Sequence, residues 1–177
     1  MADQNTLCRE LFSVVVMRPR AEDLASFVPN KASLTIEPDG IGIVGAPTNI
    51  VADVGTHTLT GTLFDRPVTV RFTPAAYSFD YGDGTTAKTG RGGSTWSALH
   101  QAQLTSTPTS HVYRARGTFT VSTRVVYDAA VDWGDGVWYD VIGQVRSAPS
   151  AADIRVYEAR TALVAHTCQE VPTAPGC

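Results

Sequence analysis

From about residue 34 onward the chain consists of short runs in which apolar and polar side chains alternate, separated by Gly, Pro, Asn and Asp. A period of two places successive side chains on opposite faces, so each run predicts a half-buried β-strand. The clearest is 67–73, where Val68, Val70 and Phe72 alternate with Thr69, Arg71 and Thr73. In 117–126, Phe119, Val121 and Val125 oppose Thr118, Thr120, Ser122 and Arg124 in the same way. Residues 57–63 alternate too, with Thr58, Thr60 and Thr62 outward, and Asp65-Arg66 before Pro67 is expected to turn this run into the next as a hairpin. Further strands are expected at 48–54, 75–81, 124–131, 137–145 and 154–164. Roughly seven or eight short strands with turn residues between them predict an all-β antiparallel sandwich.

Two stretches fall outside this rhythm. Residues 1–33 hold a strand candidate at 12–17, then Pro19 and a brief helix candidate at 21–27 stopped by Pro29, and read as a lead-in. Residues 85–108 begin rich in Thr, Gly and Ser and contain 96–104, which fits a helical turn (Trp96, Leu99) and a strand (Trp96, Ala98, His100, Ala102, Leu104) about equally. This stretch is expected to be an ordered insertion. The organisation is therefore a lead-in (1–33), a sandwich (34–165) and a tail (166–177).

The most specific pattern is a pair of segments. Tyr77-Ser78-Phe79-Asp80-Tyr81-Gly82-Asp83-Gly84 is followed, after the insertion, by His111-Val112-Tyr113-Arg114-Ala115-Arg116-Gly117-Thr118-Phe119-Thr120-Val121. Together they resemble the paired signature of PKD (polycystic kidney disease) domains: an aromatic-Asp-aromatic-Gly-Asp-Gly strand end and a later His-x-Tyr-x-x-x-Gly-x-aromatic-x-Val segment. The resemblance covers roughly 34–165. It departs at Phe79, where the family usually has Trp, and in the longer loop between the segments. The lead-in and the cysteine-bounded tail are more weakly similar to those of exported actinobacterial proteins carrying such a domain. The resemblance implies an immunoglobulin-like fold and a non-catalytic extracellular binding or spacer module that makes protein–protein contacts.

In physical terms, each Gly-Asp-Gly is a turn. Glycine supplies positive φ and the aspartate carboxylate caps backbone N–H groups. This assigns Asp80, Gly82, Asp83 and Gly84 to one turn and Asp132, Gly134, Asp135 and Gly136 to a second, which joins two alternating runs as a hairpin. Calcium is the functional alternative, but a calcium site takes 6–8 oxygens and neither loop has the longer acidic run that supplies them. Too few residues follow the second turn for another sandwich, which argues against a duplicated domain.

Catalytic patterns are lacking. His57, His100, His111 and His166 show no metal-ligand spacing, no Gly-x-Ser-x-Gly elbow occurs, and Ser110 and His111, adjacent in a strand, point to opposite faces. No cofactor or metal is expected. Trp96, Trp133 and Trp138 fall in or beside loops, where an aromatic can stack on sugar or anchor a protein contact. They are the candidate binding surface, and a carbohydrate-binding accessory domain is the alternative function.

Composition narrows the partners. With 43% hydrophobic and 18% charged residues the chain is globular in character. A formal net charge of −3 with scattered Lys and Arg leaves no basic stripe in the sequence for a nucleic acid. The partner is expected to be a protein or a cell-envelope glycan. The longest early apolar run, Val14 to Met17, is far shorter than the roughly 20 residues that span a bilayer. Cys168 and Cys177 bracket a Pro- and Gly-containing turn that favours a disulfide between them, hence an oxidising compartment. The chain is therefore expected to be secreted or at the cell surface, with its leader already removed.

Overall fold

Two long strands, β5 (Arg66–Asp80) and β8 (Gly117–Asp132), pair antiparallel over nearly their whole length and carry the other strands of a large sheet. The computed structural model describes residues 18–160, 167–170 and 172–173. The strand expected at 12–17, the end of that expected at 154–164, His166, and Cys177 of the expected disulfide with Cys168 lie outside them. On the free side of β5 run β4 (His57–Leu63) and β6 (Thr86–Thr89). On the free side of β8 run β9 (Trp138–Asp140), β10 (Val145–Arg146) and β11 (Ser150–Tyr157), and β2 (Ile41–Ile43) adds parallel to β11. A smaller sheet, in the order β1 (Ser33–Glu37), β3 (Pro47–Asp53), β7 (Ser110–Val112), faces the large one, and residues of both sheets share one core.

The runs expected at 67–73 and 75–81 are in fact one strand. Val68, Val70 and Phe72 face the core at even positions, and Tyr77 and Phe79 face it at odd positions. On β8 the buried positions Val121, Val125, Tyr127, Ala129 and Val131 stay odd throughout. An uninterrupted ladder would send one half of β5 to solvent, because a one-residue slip moves every side chain to the other face. The mismatch is absorbed by a β-bulge: Pro74 pairs with Tyr127 and Ala76 with Val126, which leaves Ala75 as the extra residue. Proline fits this position because it has no N–H to give the ladder. The runs expected at 117–126 and 124–131 likewise merge, into β8.

Other expectations are corrected. The strand expected at 137–145 is broken into β9 and β10, since Gly143 takes φ of 91° and Ile142 donates its N–H to Pro19 O at 2.8 Å instead of continuing the ladder. The hairpin between β4 and β5 turns at Phe64-Asp65, one residue earlier than expected, with φ of 51° and 60°. The brief helix expected at 21–27 is a 3-10 turn over Ala21–Leu24.

The lead-in is part of the core. Leu24, Phe27 and Ala32 are buried in the same cluster as β5 and β8, and the Phe27 ring lies so close to Gly61 of β4 that a Cβ there would stand 2.7 Å from it. Asn30 fastens the segment, donating its N–H to His57 Nε2 at 3.0 Å and accepting the Tyr127 hydroxyl at 2.7 Å. The insertion is ordered around buried Asn49 of β3. The Asn49 amide donates to Glu37 Oε2 and Ser94 O, and its oxygen accepts the Thr107 hydroxyl at 2.7 Å.

Deleting Ala75 turns the even-position run of β5 or the odd-position run away from the core, and is expected to abolish cooperative thermal unfolding followed by circular dichroism. Ala75→Ser, which keeps the residue count, is expected to shift Tm by only a few degrees. A cooperative, near-native melt for the deletion would contradict the parity assignment.

Candidate functional site

The first signature turn closes one end of the sandwich by hydrogen bonding. Asp80 Oδ1 accepts the Gly82 N–H at 3.0 Å, and Asp83 Oδ1 accepts both the Thr85 N–H at 3.0 Å and the Thr85 hydroxyl at 2.6 Å. The other Asp83 oxygen meets His111 Nε2 of β7 at 2.7 Å, so the turn is tied to the smaller sheet. Tyr81 stacks on the His111 ring at 4.1 Å, and the buried Tyr113 hydroxyl donates to Tyr81 O at 3.1 Å. The two signature segments, 27 residues apart at their nearest ends, thus form one clamp. Gly82 and Gly84 both take positive φ, but they are not equivalent: a Cβ at Gly82 would stand 2.5 Å from Thr120 O, whereas one at Gly84 meets nothing.

The Asp83–His111–Thr85 grouping has the components of a relay but the wrong connectivity. In a triad the imidazole bonds its carboxylate through one nitrogen and its nucleophile through the other. Here Nε2 faces both Asp83 Oδ2 and, at 3.4 Å, Thr85 Oγ1, while the Thr85 hydroxyl is already donated to Asp83. The grouping is a staple rather than a nucleophile with its base. Burial pushes the Asp83 carboxyl up, but the Thr85 hydroxyl, the His111 ring and the Thr85 N–H outweigh it and hold it at about 2.

The second turn is self-contained. Asp132 Oδ1 accepts the Gly134 and Gly136 N–H groups at 2.8 and 3.1 Å, and Asp135 Oδ1 accepts the Val137 N–H at 2.9 Å. Asp135 Oδ2 accepts the Tyr139 hydroxyl at 3.0 Å. The Val137 N–H bond is the main reason the Asp135 carboxyl lies below its ordinary range, and the bond to Asp135 holds the Tyr139 hydroxyl above its own. Among the described residues no group of three or more His, Cys, Asp or Glu side chains is arranged to hold a metal ion.

The three tryptophans stand in three different settings. Trp96 is 2% exposed, which corrects its assignment to a binding surface. Its backbone N–H donates to Glu37 Oε2 and its indole N–H to Thr105 O, both at 2.9 Å, so it anchors the insertion. Trp138 is half-buried on the outer face of the large sheet, its ring covered by the Arg71 guanidinium at 4.2 Å. Trp133 is half-buried beyond the end of β8, where it packs against the core edge. Phe64 stacks on it at 6.4 Å with an interplanar angle of 17°, and the Arg66 guanidinium lies 5.4 Å from its ring.

That last group forms an aromatic tip where the β4–β5 and β8–β9 hairpins meet. Phe64 is 54% exposed and Val137 50% exposed. Phe64 occupies a left-handed position of a two-residue hairpin turn, where Asn and Gly are favoured and a bulky residue costs roughly 1–3 kcal/mol. Sequence reasoning missed Phe64, Arg66 and Val137. The available signal was an aromatic beside Asp65 between two alternating runs, at a place where turn chemistry calls for Asn or Gly. Compared with protein-family models, curated proteins and solved structures, the chain matches none of them.

Because Asp83 is held at about 2 against roughly 3.9 in an unfolded chain, its contribution to stability is fully present above about pH 5 and is lost as pH falls through 4 toward 2. Tm is expected to drop by several degrees across that window in the wild type. In Asp83→Asn, Tm should be lower at neutral pH and this part of the acid slope should vanish. Parallel profiles for the two proteins would contradict the clamp.

Proposed function

We propose that this chain is a non-catalytic, PKD-type immunoglobulin-like module, secreted or displayed at the cell surface, that makes protein–protein contacts through its aromatic tip. The all-β arrangement of two sheets around one core supports the fold part of this reading. The joining of the two signature segments by the Asp83–His111 and Tyr113–Tyr81 bonds supports the family part. The observation that carries the function is the tip itself: an exposed phenylalanine kept in a costly backbone conformation and laid against Trp133 and Arg66. Backbone strain persists where surrounding structure enforces it, and such sites concentrate at binding loops. An exposed aromatic pair beside an arginine has the composition of an interface hot spot. A glycan-binding strip of tryptophans gains no comparable support, since Trp96, Trp133 and Trp138 do not share a face.

Phe64→Asn separates recognition from stability. Asparagine suits the left-handed turn, so Tm is expected to stay within a few degrees of wild type or rise, through relief of about 1 kcal/mol of backbone cost offset by the lost stacking. Pull-down from the envelope fraction of the producing cell is expected to capture a protein with the wild type and to lose it with Phe64→Asn and with Trp133→Ser. Capture of the same protein at the same level by all three would contradict a contact through the tip.

A further inference from the structure

The outer face of the large sheet carries a second feature, remote in kind from the aromatic tip. Register places Lys88 of β6, Ser78 of β5 and Arg124 of β8 in one row across the sheet. Ala76, Val126 and Arg146 of β10 form the adjacent row. Directly paired residues point to the same side, and these positions alternate with the core-facing Tyr77, Phe79 and Val125, so all three cations face outward. Neighbouring strands lie about 4.8 Å apart, which places the Lys88 and Arg146 backbones each roughly 10 Å or less from that of Arg124, and all three long side chains border one concavity.

The rows border a concavity of about 430 Å³ at the bend made by the Ala75 bulge, lined by Ser78, Lys88, Arg124, Val126, Gln144 and Arg146 among others, with no carboxylate in the lining. The nearest carboxylates along these strands lie outside that lining, where Asp80 accepts the Gly82 N–H and Asp128 accepts Gln144 Nε2 at 2.9 Å. Among the described residues, no ion pair within 4.0 Å ties up Lys88, Arg124 or Arg146, and all three are exposed. Three like charges bordering one concavity, with no carboxylate in its lining, repel one another there, and a bound anion offsets that repulsion. In a chain of formal net charge −3, their convergence on one concave surface marks a site for an anion.

We propose that this face binds a tetrahedral oxyanion, a phosphate or sulfate group, held by the Arg124 and Arg146 guanidinium forks and the Lys88 ammonium with the Ser78 hydroxyl as a further donor. Arginine forks present paired N–H groups that match two oxygens of such an anion, while lysine adds a point charge. Three cations are too few for a duplex footprint, which takes about 6–10 phosphate contacts. The ligand is instead a single group, either free or borne as an ester on a glycan.

Calorimetric titration at low salt with inorganic tripolyphosphate and, separately, with a heparin oligosaccharide tests this. Binding by the wild type is expected, weakening as salt rises. Arg124→Ala combined with Arg146→Ala should weaken it by about tenfold or more, with Tm unchanged because both side chains are exposed. Arg116→Ala, which removes an exposed charge outside the patch, should leave it intact. Tighter binding of tripolyphosphate assigns the site to a free anion, and tighter binding of heparin to an ester on a glycan. No binding of either probe by the wild type, or an equal loss on Arg116→Ala, would overturn the proposal.

Discussion

The structure depends on one constraint, the parity of side chains along the β5–β8 pair. β8 keeps its odd-numbered residues on the core from Val121 to Val131 without interruption. β5 meets that face along its whole length only because Ala75 is inserted between Pro74 and Ala76. One extra residue thus decides whether two halves of a sheet share a core or face opposite ways. Ile50 and Ala52 of β3 join that core, and His111 of β7 meets the turn that follows β5. On the half formed with β4, the lead-in lays its Phe27 ring against Gly61, and Leu24 is buried in the same core. The same bulge sets the outward positions of the second half of β5, so Ser78 points to the same side as its partner Arg124.

Two turns of nearly identical sequence serve different ends because their partners differ. Asp83 reaches His111 in the other sheet, so the first turn is stapled across the sandwich and its glycine at 82 lies against the Thr120 backbone. Asp135 bonds only within its own hairpin, to Val137 and Tyr139, and Gly134 and Gly136 have open space around them. The first turn is therefore committed to holding the fold, whereas the second leaves Trp133 and Val137 at the surface beside Phe64. Sequence similarity between the loops hides this difference, which resides in what stands opposite each aspartate.

Alternation was a reliable guide wherever one face of a strand is buried and the other wet. The strand His57–Leu63 and the cores of β5 and β8 follow directly from their period of two. The short strands β1, β2 and β6 were not legible, since three to five residues carry too few repeats to define a period. The bulge was hidden because two runs of opposite parity look like two strands unless their common partner is known. Trp96 reads as a loop aromatic in sequence, and its burial depends on Glu37 and Thr105, which are distant or unremarkable along the chain. The cationic outer face was illegible for the same reason: Lys88, Arg124 and Arg146 are scattered in sequence and gathered only by register.

The aromatic tip and the clamp at the opposite end of β5 are joined through β5 and β8, so the two halves of the sheet are expected to behave as one unit. Native-state hydrogen exchange at the backbone amides of β5 and β8 measures this most directly. Amides at Val70 and Phe72 on one side of the bulge, and at Phe79 and Val121 on the other, are expected to share one opening free energy, equal to that of global unfolding. Two separated opening energies, with either half exchanging well below the global value, would contradict a single core organised by the bulged strand pair.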